Sequence, residues 1–303
     1  MGGPASTTCN DFRWPDKKSF FQGDIAVQSL FDNTSSSSDY ITSGKNYRKH
    51  PTAIVANGAK IGSMVDIGPY SIIGDNVTIG DGSTIGPHVF IDGWTTIGKN
   101  NQISTGAIIG NAPQDLKFQG EKSYVLIGNN NIIREYVTIN RGTANGGGVT
   151  RIGDHNLLMT SAHVAHDAQI GDHNVISQAA AIGGHVIIED WVTVGYSCGI
   201  HQFTRLGRLS MIGALSMISK DVAPYGLVTG NPPKTYGTNV ERLRRNGFSA
   251  SARQELYQSY KILFNSGLTL KNAIEQIATR FPNSENINYL LAFLRYPGRG
   301  IYR

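Results

Sequence analysis

Aliphatic residues recur at every sixth position over most of the chain. This interval matches neither the 3.6-residue period of an α-helix nor the two-residue alternation of an ordinary β-strand. Twenty-five positions share it, which chance does not produce. They fall in three runs: Val55, Ile61, Ile67, Ile73, Ile79, Ile85, Ile91, Ile97, Ile103 and Ile109; Ile127, Ile133 and Ile139; and Ile152, Leu158, Val164, Ile170, Ile176, Ile182, Ile188, Val194, Ile200, Leu206, Ile212 and Ile218.

A period of six with frequent glycine predicts a β-helix. Glycine often follows the aliphatic residue, as Gly62 follows Ile61, where a turn needs a residue with few steric limits on φ. In hexapeptide repeats of this kind, three hexads make one triangular coil of about 18 residues, with the aliphatic side chains inside. Such solenoids are typically left-handed. We therefore predict an all-β left-handed parallel β-helix followed by a C-terminal α-helical domain.

The repeat also predicts the domain boundaries. We expect the β-helix over residues 50–236 and the helical domain over residues 237–303. Interruptions near 111–126 and 140–151 predict loop excursions. Loops on a rigid scaffold often carry function, which we favour here; the alternative is that they are tolerated surface insertions. Residues 1–49 are polar and include a run of four serines, which predicts a disordered or draped extension.

Capping signals predict three short helices in the C-terminal domain. Ser251 and Gln254 fit a capping box, and Thr269 precedes a second amphipathic run. Gly267 and Pro282 are typical of helix ends.

Composition narrows the class of protein. The 303 residues include 36 glycines and only 16% charged residues, which argues against a helical bundle. No apolar run reaches the roughly 18 residues of a membrane span, and the first residues lack a signal-peptide core. We therefore expect a soluble intracellular protein with no integral membrane segment. Its two cysteines predict a reducing compartment rather than a disulfide scaffold.

The net charge of +5 is concentrated near the C-terminus. Residues 241–303 hold ten Lys/Arg and four Asp/Glu. A basic surface of this kind can face nucleic acid, a membrane or an acidic protein. Because no nucleic-acid motif or series of stacking aromatics accompanies it, we predict an acidic protein partner and no nucleic acid.

The 18-residue coil predicts which histidines lie together. It stacks His155 on His173, beside a column of aspartates at 154, 172 and 190. Repetition at one corner is typical of a structural ladder. We therefore predict no catalytic role for these two histidines.

His166 and Asp167 have different neighbours on the next coil. The same rule places Gly184 beside His166, and His185 beside Asp167. Imidazole titrates near neutral pH and suits a general base, which a carboxylate can orient. A glycine N–H can stabilise an oxyanion. We predict an acyl-transfer site in which His166, Asp167 and Gly184 are catalytic.

Two alternatives remain open for this cluster. His163, His166 and His185 could bind zinc, or His163 and His166 could be ordinary surface residues. We favour a site with no metal or other cofactor because Asp167 is placed to pair with a histidine. The polar segment "HQF" at 201–203 also suggests an extended organic ligand.

Eight motifs resemble those of the UDP-N-acetylglucosamine acyltransferase family, over about residues 50–303. The resemblance implies a homotrimer with active sites between subunits. It also implies transfer of a 3-hydroxyacyl chain from acyl carrier protein to the 3-hydroxyl of UDP-N-acetylglucosamine, the first step of lipid A biosynthesis. The motifs are "HPTAIV", "PQDLKF", "TINRGTANGGG", "DHNLLMTSAHVAHD", "GGHV", "HQF", "GNPP" and "RRNGFS".

The resemblance implies a role for each matched residue. His166 would be the general base, Asp167 would orient it, and the Gly184 N–H would hold the thioester oxyanion. Ala214 would lie at the ruler that measures the acyl chain. The residues implied in binding the sugar, nucleotide, phosphates or carrier arm are Asp115, Lys117, His163, His185, His201, Gln202, Asn239, Glu241 and Arg245.

The chain departs from the family pattern at two positions. Asn140 stands where the family has histidine, and we expect retained activity because the base lies elsewhere. Ala214 stands in place of glycine and should shorten the preferred acyl chain modestly.

The N-terminal extension resembles a plant version of the enzyme, which would act in mitochondria. Its aspartates argue against a clear transit peptide, and the bacterial cytoplasm is the alternative. The competing functions are another hexapeptide acyltransferase, N-acyl or coenzyme A-dependent, and a non-catalytic scaffold.

Overall fold

The computed structural model describes residues 46–296 and 298–303. Residues 1–45, which make up most of the predicted extension, lie outside this range. Within it the hexapeptide repeat folds into very short strands, most of them two residues long, separated by tight turns. Arg48 and Lys49, placed at the end of the extension by the sequence, form the first strand.

The described strands form three sheets, named here A, B and C. Sheet A contains β1 (Arg48–Lys49), β4 (Asp66–Ile67), β7 (Thr84–Ile85), β10 (Gln102–Ile103), β13 (Ile132–Ile133), β16 (Leu157–Leu158), β19 (Val175–Ile176), β22 (Thr193–Val194), β25 (Met211–Ile212), β27 (Gly226–Gly230) and β28 (Pro233–Thr238). Sheet B contains β2 (Ile54–Val55), β5 (Ile72–Ile73), β8 (Phe90–Ile91), β11 (Ile108–Asn111), β14 (Thr138–Asn140), β17 (His163–Val164), β20 (Ala181–Ile182), β23 (Gly199–Ile200) and β26 (Met217–Ile218). Sheet C contains β3 (Lys60–Ile61), β6 (Thr78–Ile79), β9 (Trp94–Ile97), β12 (Tyr124–Ile127), β15 (Val149–Ile152), β18 (Gln169–Ile170), β21 (Ile187–Ile188) and β24 (Arg205–Leu206).

The chain visits the three sheets in turn, so each coil contributes one strand to each face of a triangular prism. Neighbouring strands are parallel, and His163 pairs with Ala181, as the 18-residue coil predicts. The antiparallel hairpin of β27 and β28 ends the stack. Of the 25 periodic aliphatic side chains, all except Val55 and Ile61 are buried. They fill the prism and form its core.

A ladder of buried asparagines strengthens one corner of the prism. The side-chain oxygens of Asn101, Asn131 and Asn156 each accept the backbone N–H of the next asparagine in the column, at 2.8–2.9 Å. The last member, Asn174, accepts the N–H of Val192 at 2.7 Å. Each bond satisfies a buried backbone donor in the turn of the next coil.

Both predicted excursions leave the prism at the same corner, between sheets B and C, named here the BC corner. The first excursion (residues 112–123) joins β11 to β12, and the second (residues 141–148) joins β14 to β15. Both are shorter than predicted from the sequence, because β12 and β15 extend to four residues each. Each excursion returns in register, so the sheets continue through both.

Four helices follow the prism in the described range: α1 (Val240–Arg245), α2 (Ala250–Asn265), α3 (Leu270–Arg280) and α4 (Glu285–Arg295). The prediction of three helices was wrong, because α1 is short and lies in the basic "RLRR" segment. The capping box at Ser251 was also wrong. Ser249 is the N-cap of α2 and accepts the Ala252 N–H. Thr269 caps α3 as predicted.

The helices have a core of their own beside the last coils. Tyr225, from the end of the prism, is fully buried among residues of the helices. Arg205 forms a largely buried ion pair with Asp221 at 2.8 Å and lies over the ring of Phe293. Within the described residues, none of the helices combines the length and apolar character needed to cross a membrane.

Candidate active site

The BC corner brings the predicted catalytic residues together. The turn between β17 and β18 contains His166 and Asp167, and the matching turn of the next coil contains Gly184 and His185. His185 N–H donates to the His166 carbonyl at 3.1 Å, which fixes the register of the two turns. The period-six core therefore positions the site.

His166 and Asp167 form a hydrogen-bonded dyad. His166 Nδ1 lies 2.8 Å from Asp167 Oδ2. The imidazole side chain is 13% exposed, whereas the carboxylate is fully buried. Because Asp167 holds Nδ1, the other ring nitrogen, Nε2, is left as the outward basic atom, and it contacts no hydrogen-bond partner among the described residues.

The second excursion supplies the remaining partners of the Asp167 carboxylate. The Thr143 backbone N–H donates to Oδ1 at 3.0 Å and to Oδ2 at 3.1 Å, and the Thr143 hydroxyl donates to Oδ2 at 2.7 Å. Asp167 itself has a left-handed backbone with φ of 60°, which aspartate tolerates better than most residues. Its own N–H donates to Thr150 Oγ1 at 2.8 Å.

The glycines of the second excursion allow it to lie directly against this carboxylate. A Cβ at Gly146 would come within 2.0 Å of Asp167 Cγ, and one at Gly142 within 2.7 Å of Asp167 Oδ1. Any other residue at Gly146 would push the excursion away from the dyad. The "GTANGG" sequence is therefore a packing requirement of the site.

Gly184 lies under the imidazole of His166. A Cβ at this position would come within 2.7 Å of His166 Cε1 and 2.8 Å of Nε2. The Gly184 N–H donates no hydrogen bond to any described residue. A free amide donor thus lies next to the free nitrogen of the predicted base, which is the arrangement that acyl transfer requires.

Two further histidines border the dyad. The His185 ring meets that of His166 edge-on, with centroids 5.1 Å apart, and stacks on Phe203 at 4.4 Å. His163 lies on β17, and its Nδ1 is 2.7 Å from Thr138 Oγ1. Burial is the largest effect on the pKa of both His163 and His185 and lowers it; Asp167 partly offsets this at His185, and the neighbouring His166 lowers both pKa values further. Both are therefore held neutral near pH 7 and suit hydrogen bonding to a ligand.

The first excursion reaches the same site. Asp115 is close enough to His185 to raise its pKa, although burial has the larger, opposite effect. The backbone N–H of Lys117 donates to Asp115 Oδ1 at 3.0 Å, while the Lys117 side chain is exposed. Glu121 Oε1 accepts the Ala144 N–H at 3.2 Å. The two excursions therefore contact each other above the dyad.

His201 and Gln202 lie in the following coil at the same corner. Both side chains are exposed, and His201 Nδ1 is 3.0 Å from the Gln202 carbonyl. They border the cluster and extend it along the prism.

The trio predicted as possible zinc ligands, His163, His166 and His185, is not the one that the described residues bring together. Instead, ligand atoms of His166, Asp167 and His185 all lie within 4.8 Å of one another. However, Asp167 Oδ2 already accepts hydrogen bonds from Thr143 and His166. A metal would have to replace these bonds, which favours the dyad over a cation site.

Three other predicted residues lie on a different face of the same chain. Asn239 caps α1 by accepting the Arg242 N–H, and its amide donates to the Leu209 carbonyl. Glu241 pairs with Arg244 and Arg245, which lower its pKa to about 2.

Helix α1 contacts sheet A, because the Arg242 guanidinium donates to the Thr193 hydroxyl at 2.6 Å. Sheet A is the face opposite the BC corner, so these residues do not join His166 within one chain.

The remaining positions named from the sequence fall elsewhere. Ala214 is exposed in the turn between β25 and β26, at the corner between sheets A and B. Asn140 is buried and donates its amide to the Ala112 carbonyl at 2.9 Å, so it anchors the first excursion.

The predicted ladder is confirmed: the His155 and His173 rings stack 4.8 Å apart, and His173 stacks on Trp191.

Sequence reasoning did not find Thr143, Glu121 or Gly146. The step from β14 to β15 departs from the 18-residue rule, so that rule could not place the second excursion over Asp167. The available signal was the unusual density of glycine between residues 142 and 148.

Comparison with known proteins places this geometry in a family. The family described as UDP-N-acetylglucosamine O-acyltransferase, domain 2, matches residues 221–302, and the bacterial transferase hexapeptide repeat matches residues 58–93. The acyl-[acyl-carrier-protein]–UDP-N-acetylglucosamine O-acyltransferase of Thiobacillus denitrificans is 46% identical over 254 residues, which cover 84% of this chain and 98% of that protein.

Solved structures of proteins with the same activity are also similar to this chain. The LpxA structure from Acinetobacter baumannii is 46% identical and has a TM-score of 0.82 over 84% of this chain and 99% of that chain. The UDP-N-acetylglucosamine acyltransferase of Arabidopsis is 32% identical, with a TM-score of 0.73 over 84% and 99%.

A three-sided β-helix with a histidine–carboxylate dyad at one corner defines a hexapeptide acyltransferase. The chain belongs to the UDP-N-acetylglucosamine O-acyltransferase family. The predicted family, enzyme class and fold, a left-handed parallel β-helix followed by α-helices, are confirmed.

Proposed function

We propose that the protein transfers a 3-hydroxyacyl chain from the thioester of an acyl carrier protein to the 3-hydroxyl of UDP-N-acetylglucosamine. This is the first step of lipid A biosynthesis. The observation that carries the proposal is the pairing of two groups with no hydrogen-bond partner among the described residues, His166 Nε2 and the Gly184 N–H, beside a fully buried carboxylate.

His166 is the general base in this mechanism. Its Nε2 takes the proton of the sugar 3-hydroxyl as the hydroxyl oxygen attacks the thioester carbon. The Asp167 carboxylate holds the ring and stabilises the imidazolium that forms. The Gly184 N–H donates to the oxyanion of the tetrahedral intermediate. Collapse of the intermediate breaks the carbon–sulfur bond, and the imidazolium returns its proton to the leaving thiolate.

The remaining residues of the corner are proposed to bind the sugar nucleotide. Asp115, His163 and His185 present hydrogen-bonding groups around the dyad, and the exposed Lys117 ammonium suits a phosphate. His201 and Gln202 extend the same surface toward the nucleotide or carrier arm.

The test is product formation from UDP-N-acetylglucosamine and a panel of 3-hydroxyacyl carrier proteins, read by mass spectrometry. His166→Ala should lose activity by at least about a thousandfold, as expected for loss of a general base with its oriented partner. His173→Ala is the matched control, because it removes a histidine of the stacked ladder at another corner. Full activity in the His166→Ala protein would refute the proposal.

We further propose that the working enzyme is a homotrimer with sites shared between subunits. Glu241 and Arg245 lie over sheet A, away from the His166 corner of their own chain. A rotated copy of the chain can bring its α1 to that corner. Arg245 would then bind the nucleotide phosphates of a site whose base belongs to its neighbour.

Mixing two inactive variants tests the shared site. A trimer reassembled from equal amounts of His166→Ala and Arg245→Ala chains should regain about a quarter of the parent sites, since each intact site needs one wild-type residue from each neighbour. The double variant His166→Ala/Arg245→Ala, mixed with itself, should regain none. No recovery in the mixture, with trimers present, would contradict a shared site.

The acyl carrier protein is proposed to dock on the basic helices. Lys261, Lys271 and Arg280 are exposed on α2 and α3, and carrier proteins of this kind are acidic. Lys271→Glu with Arg280→Glu should raise KM for the carrier substrate and weaken its salt dependence, because exposed charges steer association. Lys60→Glu with Lys234→Glu, two exposed lysines outside the helices, is the control, because it changes the net charge by the same amount.

Two substitutions tune the proposed reaction. Asn140→His should change the rate by much less than several orders of magnitude, because the base is His166. Ala214→Gly should shift the preference toward a longer acyl chain. The kcat/KM of Asn140→His relative to the parent measures the first effect, and the ratio of kcat/KM values across a carrier-bound chain-length series measures the second.

The compartment stays a prediction, either mitochondrion or bacterial cytoplasm. A fluorescent reporter fused after residue 303, with residues 1–49 retained or deleted, would test the mitochondrial assignment.

A further inference from the structure

The second excursion encloses the Asp167 carboxylate. Gly142 and Gly146 lie against it, with a Cβ at Gly146 reaching 2.0 Å from Cγ, and Thr143 donates from both its backbone and its hydroxyl. Residues 142–146 are named here the carboxylate cap. The mechanism proposed above assigns the cap no role.

Burial makes the cap the main source of hydrogen bonds to Asp167. The carboxylate is fully inaccessible, so water cannot replace a missing donor. Its donors in the described structure are the Thr143 N–H, the Thr143 hydroxyl and His166 Nδ1. A buried carboxylate needs such donors to stay ionised. Thr143 supplies two of the three.

Thr143 and His166 also share one oxygen. The Thr143 hydroxyl lies 2.7 Å and His166 Nδ1 2.8 Å from Oδ2. The hydroxyl therefore fixes the direction from which Oδ2 meets the ring, and it competes with the imidazolium for the same negative charge. Both effects act on the base without touching the substrate.

The cap is tied to the substrate side of the site. Glu121, in the first excursion, accepts the Ala144 N–H next to Thr143. Hydrogen bonds from the backbone N–H groups of Gln119, Glu121 and Ala144, in that order of size, lower the pKa of Glu121, so its carboxylate is charged at neutral pH. The excursion that carries Asp115 thus contacts the segment that holds the dyad.

We propose that Thr143 is a positioning residue of the acyl transfer, which sets the orientation and the effective charge of the Asp167 carboxylate behind His166. The proposal rests on the function proposed above. It assigns a mechanistic role to the glycine-rich excursion.

Thr143→Val keeps the shape of the side chain and the backbone N–H but removes the hydroxyl. Without the hydroxyl, Oδ2 is no longer held in its direction toward the ring, so the base is misplaced and kcat should fall about tenfold, while KM for UDP-N-acetylglucosamine stays within about twofold. Because the carboxylate then bears more unshared charge, it stabilises the imidazolium better. The acidic limb of the pH–rate profile should therefore move to higher pH.

Thr143→Ser restores the hydroxyl and should return both kcat and the acidic limb to near their parent values. Thr160→Val is the matched control, since the Thr160 hydroxyl also donates to a carboxylate, Glu135 Oε2 at 3.0 Å, at a different corner. Its rate and pH profile should equal those of the parent.

Two results would overturn the proposal. One is a Thr143→Val rate within twofold of the parent. The other is a lower rate with an unmoved acidic limb, which a merely structural threonine would give. Thermal melting is measured first, and Thr143→Ala replaces Thr143→Val if the latter melts below the assay temperature. Full activity in His166→Ala would instead refute the proposed function, so the two failures are distinguishable.

Discussion

Replacing Asp167 with asparagine tests the dyad most directly. The substitution preserves size and removes the negative charge. Asp167 Oδ2 accepts from His166 and Thr143, and Oδ1 accepts from the Thr143 N–H at 3.0 Å. An asparagine has one acceptor oxygen, so its NH₂ group replaces either Oδ1, where it meets the Thr143 N–H, or Oδ2, where it meets both the Thr143 hydroxyl and His166 Nδ1. One buried donor therefore meets another donor.

These contacts determine how much activity and stability the substitution should remove. The charge-assisted bond to His166 is worth about 1.5–3 kcal/mol, and each 1.4 kcal/mol corresponds to about a factor of ten. We therefore expect kcat/KM to fall about 10- to 100-fold. A buried donor without an acceptor costs about 1–3 kcal/mol, so the free energy of unfolding should fall by a similar amount.

The assay is the pH dependence of kcat/KM together with urea unfolding. Without the carboxylate the imidazolium loses its anionic partner, so the acidic limb should move to lower pH, opposite to the shift expected for Thr143→Val. Asp172→Asn is the control, because Asp172 accepts the Asp154 N–H in the ladder at another corner. A rate within threefold of the parent and an unmoved acidic limb would show that Asp167 does not act through His166.

Three further outcomes are expected. Gly184→Ala should reduce kcat at least about tenfold with little change in secondary structure by circular dichroism, because its Cβ would come within 2.8 Å of His166 Nε2; an unchanged kcat would contradict the proposed packing. Burial lowers the pKa values of His163, His173 and His185, so the folded state binds protons less readily than the unfolded state and the melting temperature should fall as pH drops below about 6.5. His173→Asn should flatten that dependence, and an equally steep dependence would count against it. Dialysis against a chelator should leave the rate within twofold, whereas a loss that zinc restores would revive the metal interpretation.

The fold could be read from the sequence because one physical constraint repeats. An aliphatic side chain is needed at every sixth position to fill the prism, and this fixes both the sheets and the 18-residue neighbour rule. That rule correctly brought Gly184 to His166 and His185 to Asp167. Each pair follows from backbone register alone.

The other features of the site and of the helical domain could not be predicted, because they depend on contacts that the backbone register does not specify. Thr143 reaches Asp167 from an excursion that departs from the period, and its path is set by glycine packing. The capping of α1 by Asn239 was also not foreseen; the ligand contact that the family resemblance implies for this residue stays a prediction. The α2 cap falls at Ser249 rather than Ser251, because local capping sequences compete within two residues of each other.

Both excursions rejoin the stack of coils in a way that allows their sequences to diversify. Since β12 and β15 pair in register on either side of the gaps, the length and composition of what lies between can change without disturbing the interior. Natural variation, or a grafted library at residues 112–123 and 141–148, can therefore remodel recognition on a scaffold whose stability is set elsewhere. The limit on such swaps is local, since a replacement for the second gap must still admit the carboxylate beneath it.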